Sequence, residues 1–346
     1  MENRKRVDFI NVRKMFFFNK KFPVRVVITL DYETWQPISN GYVINWDKDI
    51  FESTDVWLGI AAKFGIKLTF FVDMGFYYWL KVHEAAVAYR MEQQIEQIVF
   101  QNHDIQLHLH PSWLPEFGVT YEHGKWIGLD QNQKLHTVPL DIFSLLMKSK
   151  IDLETMAQNI KKDYKVTTFR AAAFQIQPSK EIVDALLRAG LKADSSVCKG
   201  GFDSALETDF RTACHEHQPY FADADDINKQ AVSKDAILEI PIFSWTEHYY
   251  RWSFDNQNAQ QMFSPLKLIL SEYGYAVPVS LKRKIRLFFS KKRAVSSHKP
   301  LIFTAIAHTK IPVDQYELEV FFKELSSYSF IESCTMNDVV ALYTHE

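Results

Sequence analysis

The run Val24-Arg25-Val26-Val27-Ile28-Thr29-Leu30 leads directly into Asp31-Tyr32-Glu33, and its reading decides the fold class. Nearly every side chain before Asp31 is apolar or β-branched, which fits a strand buried on both faces rather than one alternating between core and solvent. Strands of that kind belong to parallel sheets covered by helices. Outward from it, β-rich and helical patterns alternate, as in a sheet or barrel wrapped by helices. Ser53-Thr54-Asp55 opens a helical segment that Gly65 closes, and 67–72 reads as the next strand. A long helical pattern spans 79–100, Asp152 reads as a helix cap, and 166–169 as a short strand. A helix over 179–187 is closed by Gly190, with further strands predicted at 191–194, 237–243 and 301–307. Thr335-Met336-Asn337-Asp338 has the spacing of an acidic capping box before a final helix. The expected organisation is a basic extension over 1–23 and a single α/β domain over 24–346, with insertions near 111–150 and 199–299.

Bulk composition excludes several classes. With 346 residues, 47% hydrophobic, and a net charge of -2, the chain can bury a large core and has no global attraction to nucleic acid. Cys198, Cys214 and Cys334 are far apart and odd in number, which argues against a disulfide framework and a cysteine-based zinc site. The cluster Met15-Phe16-Phe17-Phe18 is too short for a secretory core. No run reaches the roughly 20 apolar residues of a membrane span. The expected location is cytoplasmic.

Two residues apart on a strand point to the same side. Asp31 and Glu33 therefore aim two carboxylates one way, and His108 and His110 on the alternating stretch 104–110 aim two imidazoles one way. Hydrolytic metal centres use three N/O ligands and one open position. Glu33, His108 and His110 supply that set, leaving Asp31 free to act as a base. Taken singly, an acid pair at a strand end is more often a salt-bridge partner. Two imidazoles on one buried face are harder to explain without a cation.

In order along the chain, Ile28-Thr29-Leu30-Asp31-Tyr32-Glu33, the run His103 to Pro111, Phe169-Arg170-Ala171-Ala172, Gly190-Leu191-Lys192-Ala193-Asp194-Ser195-Ser196 and Ala307-His308 resemble the five motifs of the polysaccharide deacetylase superfamily. This is also called the NodB homology or carbohydrate esterase family four group. The resemblance implies a distorted (β/α) barrel of about seven parallel strands, with one divalent metal ion, zinc first. It implies Asp31 as general base, Glu33 and His108 as metal ligands, Arg170 holding the base, Asp194 tuning the last histidine, and His308 as general acid. Otherwise Arg170 is a plain ion-pair partner, Asp194 a turn residue and His308 a core histidine. The second family histidine lies four residues after the first, where this chain has Ser112. His110 is expected to substitute, with His103, His248 or a water as fallbacks. Ala171-Ala172-Ala173 replaces the proline and glycine often found in the arginine motif.

Trp113, Trp245 and Tyr249 are candidate sugar-stacking residues. The basic, partly aromatic stretch 281–293 suggests contact with an anionic membrane surface, though a solvated helix explains it as well. Cys214-His215-Glu216-His217 is a weak second metal candidate. The resemblance implies a hydrolase that removes an N-acyl group, acetyl first, from an amino sugar or glycan, lipid- or nucleotide-linked, during synthesis of a bacterial surface polysaccharide. Alternatives are hydrolysis of another C–N bond, such as a formamide or cyclic amide, or a non-catalytic glycan-binding module.

Overall fold

The computed structural model describes residues 23–35, 44–122, 125–128, 133–245, 250–273, 275, 277 and 299–344. Nearly all of the basic extension, Tyr249, His248 and the 281–293 segment lie outside them. The central sheet contains β1 (Val24–Tyr32), β2 (Leu68–Asp73), β3 (Asp104–Leu109), β4 (Thr168–Ala171), β5 (Ala193–Asp194), β6 (Tyr220–Ala222), β7 (Ile237–Glu239), β8 (Leu301–His308) and β9 (Ile331–Ser333). Its order is β6-β7-β5-β4-β3-β2-β1-β8, with β9 also on β1. All pairs are parallel except β6 with β7. The sheet curls, and a parallel bridge from Ile242 to Thr304 joins the chain beyond β7 to β8. That contact closes the distorted barrel through β1, β2, β3, β4, β5, β7 and β8.

β1 is buried along its length except at Arg25, as its double-sided apolar composition requires. Helices α1 (Glu52–Phe64), α2 (Met74–His83), α3 (Ala85–Phe100), α4 (Ile142–Gln158), α5 (Ser179–Arg188), α6 (Ala259–Glu272) and α7 (Gln315–Ser326) accompany the sheet, and their apolar residues join its alternate side chains in one large core. A smaller cluster joins Val27, Phe71, Ala193, Leu238, Ile240 and Ile302 to Met336, Val339 and Val340 of α8 (Met336–Thr344). This last helix seals the end of the barrel at which the strands begin: the Met336 N–H donates to Thr69 Oγ1 at 3.0 Å, and the Asn337 N–H to Asp104 Oδ2 at 3.1 Å. Its start is the reciprocal box expected from the sequence, Thr335 N to Asp338 Oδ2 at 2.9 Å and Asp338 N to Thr335 Oγ1 at 3.1 Å.

Two helix readings are corrected. The single pattern over 79–100 is two helices, because Glu84 leaves helical conformation at φ -138°, ψ 58°, and the first helix begins earlier, at Met74, where Asp73 caps it. The cap of α4 is Asp141, whose carboxylate accepts from the Ser144 N–H at 2.9 Å, while Asp152 lies well inside that helix. Of the inserted segments, 199–299 returns to the sheet to supply β6 and β7 before the hairpin of Ser244–Trp245 and Tyr250–Arg251. No helix among the described residues is long and apolar enough to cross a membrane.

Candidate active site

Parallel register places the chemistry. Asp31 of β1 pairs with His308 of β8, and Asp73 of β2, His108 of β3 and Arg170 of β4 lie side by side in one row. All are at the C-terminal ends of their strands, where parallel α/β barrels hold reacting groups. Thr309 latches the end of β1: its N–H donates to Asp31 O at 3.1 Å, and its hydroxyl accepts from the Glu33 N–H at 3.2 Å.

Glu33 is nearly fully buried, and its two oxygens face different ways. Oε2 lies 2.5 Å from His110 Nε2 and 3.2 Å from His108 Nε2, while Oε1 lies 2.5 Å from Lys310 Nζ. One donor atom from each of Glu33, His108 and His110 lies within 4.8 Å of the others, the one such group among the described residues. The imidazoles meet edge to face with ring centroids 4.9 Å apart. His108 Nδ1 is 2.8 Å from the Arg170 carbonyl. A carbonyl only accepts, so Nδ1 carries a proton and Nε2 is turned toward the shared centre.

Burial raises the Glu33 carboxyl, but Lys310, His110 and the hydrogen bonds from both histidines outweigh it and hold it well below the ordinary range. For His108, burial works against the charged ring, yet its hydrogen bond to Glu33 and the charges of Asp31, Glu33 and Asp73 raise it to about 9. The carboxylates of Asp31, Glu33 and Asp73 thus all act on the His108 ring. The donor set, one carboxylate oxygen and two imidazole nitrogens, fits a zinc-type divalent cation.

Asp31 sits beside this centre. Its Oδ1 accepts from Arg170 Nη1 at 2.6 Å. Arg170 is fully buried, donates also to Thr29 Oγ1 at 2.9 Å, Ser195 O at 2.9 Å and Ser195 Oγ at 3.2 Å, and stacks 4.0 Å from the Phe71 ring centre. Burial favours a neutral Asp31, and the positive charges of Arg170, His108 and His308 reverse that, leaving the carboxyl below its ordinary value. His308 Nε2 lies 3.7 Å from Asp31 Oδ2 and 3.8 Å from Glu33 Oε1.

The acid that orients His308 is Asp255. Its Oδ2 accepts from His308 Nδ1 at 2.7 Å and its Oδ1 from the His308 N–H at 3.0 Å. Asp194, assigned this partnership on the resemblance, instead accepts from Ser196 Oγ at 2.8 Å and the Ser196 N–H at 3.0 Å. It is hydrogen-bonded to buried Glu239, and burial raises both carboxyls. The reason is topological: Ser253 bridges Ile306, and the Phe254 N–H donates to Ile306 O at 2.9 Å, which carries Asp255 to the end of β8. Burial lowers the His308 ring, but the Asp255 bond with the charges of Asp31, Asp255 and Glu33 raises it overall. Replacing Asp255 by Asn removes that support. The alkaline limb of the rate profile is expected to move toward acid and the rate to fall by about tenfold or more. Asp194→Asn should leave that limb in place; a profile unmoved by Asp255→Asn would count against the pairing.

Trp113 is corrected as a stacking residue. It is fully buried against Phe76 and Trp79, at centroid distances of 5.4 and 5.9 Å, out of reach of any ligand. Trp245 belongs to the hairpin strand Ser244–Trp245, and Tyr249 lies outside the described residues. The exposed aromatic beside the site is Trp35, 40% exposed, with Lys310 Nζ 5.2 Å from its ring centre. Asp73, Asp255 and Lys310 also stand at the site, outside the motifs read from the sequence. The rule that flagged Asp31, an acid closing an apolar strand, applies equally to Phe71-Val72-Asp73. Nothing local marks Asp255. In the other histidine-rich stretch, His217 stacks on Phe303 at 4.6 Å and its Nδ1 meets Ile302 O at 3.2 Å. His103 accepts from the Leu68 N–H through Nδ1 at 3.1 Å, at the opposite end of β3 from the site.

Fold and side chains together define a class: a parallel barrel carrying a metal-competent acid and imidazole centre at its strand ends. No family model matches the sequence, and no curated protein matches it. Among solved structures, a Mycobacterium smegmatis protein described as a polysaccharide deacetylase superposes with a TM-score of 0.55 at 14% identity, over 95% of this chain and 93% of that one. The 4-alpha-glucanotransferase of Thermococcus litoralis gives 0.53 at 10% identity, over 94% of this chain and 41% of that one. A Parabacteroides distasonis protein described as a glycoside hydrolase/deacetylase gives 0.51 at 8% identity, over 94% and 72%. The chain has the barrel fold of the polysaccharide deacetylases. One fold hosts many activities, so the reaction must be read from the side chains.

Proposed function

We propose that this protein is a divergent polysaccharide deacetylase, a metal-dependent hydrolase that removes an N-acyl group, acetyl first, from an amino sugar or glycan in the synthesis of a bacterial surface polysaccharide. The observation that carries this reading is the convergence of Glu33, His108 and His110 on one point beside Asp31 and His308. Those three residues would hold the ion. When bound, a divalent cation supplies Lewis acidity toward a carbonyl and makes water a stronger acid.

The chain's own groups do the rest. Asp31, kept ionised by Arg170, takes the proton of an attacking water. His308, with Nδ1 fixed on Asp255, presents Nε2 toward the same space and donates a proton to the departing nitrogen. Without that donation the tetrahedral adduct collapses back to the amide. The half-exposed Trp35 offers an aromatic face to a sugar ring at the mouth, and Lys310 adds positive charge beside it. A lipid-linked or nucleotide-linked substrate and a peripheral position at the inner membrane belong to this proposal.

Acetate release from N-acetylglucosamine oligomers tests the reading. Dialysis against a chelator is expected to abolish release, and stoichiometric zinc or cobalt to restore it. Release that survives metal depletion would refute the assignment.

A further inference from the structure

We propose that Asp73 and Gly75 form a clamp that sets the backbone of His110 and thereby determines how tightly this chain holds its metal ion; the proposal rests on the reading of Glu33, His108 and His110 as ligands. His110 stands one residue beyond the end of β3, so the sheet ladder does not fix it. A ligand must nevertheless be held to within a fraction of an ångström for its nitrogen to meet a cation shared with two others.

Three features supply that constraint. The His110 N–H donates to Asp73 Oδ1 at 2.9 Å, and the same oxygen accepts from the Gly75 and Phe76 N–H groups at 3.1 and 3.3 Å. The first turn of α2 and the ligand loop therefore share one carboxylate oxygen. On the other side of the peptide, a Cβ at residue 75 would lie 2.3 Å from the His110 carbonyl oxygen and 3.2 Å from its carbon. Only glycine lets the helix start abut that carbonyl. Pro111 restricts His110 to extended conformations, and it is found at φ -93°, ψ 105°. Backbone N–H, carbonyl and dihedrals are each held by a different residue.

The second Asp73 oxygen adds an independent observation. Oδ2 is buried and has no hydrogen-bond partner among the described residues. Asp73 is the register neighbour of His108. An acid whose only task was to cap α2 would need neither burial beside two imidazoles nor an unpartnered oxygen, since a serine caps as well. An acid that also orients a ligand and offsets the charge of a bound cation explains both.

The test uses the full chain with cobalt(II), followed by visible absorption and by competition with zinc. Asp73→Ser keeps a capping oxygen for α2 but is too short to reach the His110 N–H. It is expected to weaken cobalt binding by about 10- to 100-fold, the range for lost outer-shell partners, and to alter the cobalt spectrum. Asp73→Asn, which retains an acceptor oxygen for the His110 N–H but not the charge, should bind cobalt more tightly than Asp73→Ser and less tightly than the native protein. Gly75→Ala should weaken binding like Asp73→Ser. In the metal-free protein the His110 amide should be protected from hydrogen exchange and lose that protection in Asp73→Ser, a readout that a cap acting on α2 alone would not move. Native cobalt affinity and spectrum in Asp73→Ser, or an equally protected His110 amide, would overturn the clamp. A native protein that takes up no cobalt would instead refute the metal reading itself, and amide exchange would then decide the clamp alone.

Discussion

The Asp31→Asn variant is expected to release acetate about 10³-fold more slowly than the native protein while keeping its metal, because it removes the base and none of the three proposed ligands. Asn is nearly isosteric, and its oxygen can still accept from Arg170 Nη1, now 2.6 Å from Asp31 Oδ1. The guanidinium, however, loses its counter-charge in a fully buried position. Breaking such pairs costs about 3–5 kcal/mol, and the retained hydrogen bond puts this change toward the lower figure. Unfolding in denaturant separates the two effects. A folded variant with full metal content and no turnover supports Asp31 as the base, whereas turnover within about threefold of native would remove it from that role.

The second large effect concerns the metal. His108→Ala should bring the metal content of the purified protein, expected at one ion per chain for the native form, to near zero and abolish activity. His108 is fully buried, with one nitrogen on the Arg170 carbonyl at 2.8 Å and the other facing Glu33 at 3.2 Å. Alanine therefore takes this donor from the buried Arg170 carbonyl, at a cost of about 1–3 kcal/mol. The prediction is sharper than one based on activity alone. Stoichiometric metal retained in a folded His108→Ala protein would mean that the ion sits elsewhere, and the convergence on Glu33 would need another explanation.

How far the sequence could be read varied with how local the cause was. The Val24–Leu30 run announced a doubly buried parallel strand because burial on both faces leaves no polar position to alternate. The His108-Leu109-His110 spacing announced two imidazoles on one side because side-chain direction follows from strand geometry alone. Asp255 was invisible for the opposite reason. Its place beside His308 comes from a bridge between Ser253 and Ile306, a pairing across a long stretch of chain that no window of residues encodes. Asp194 carries that role only on the family resemblance, and its carboxylate turns instead to Ser196 and Glu239. Trp113 was misread because an aromatic just past a strand end can face either the cavity or the helices, and here Phe76 and Trp79 take it. The break at Glu84 escaped because both flanking segments carry helical periodicity.

β1 lies between a neighbour that follows it closely, β2, and one that arrives some 277 residues later, β8, which pairs it from Val24 to Asp31. During synthesis the strand must therefore wait with the backbone N–H and C=O groups of one edge unpaired until β8 has left the ribosome. Late closure of this kind makes folding slow and exposes an adhesive edge to other chains. Asp31 and His308, the proposed base and acid, come together in that same final step, so on this proposal activity cannot precede completion of the barrel, and a chain lacking β8 is expected to be inactive and prone to aggregate.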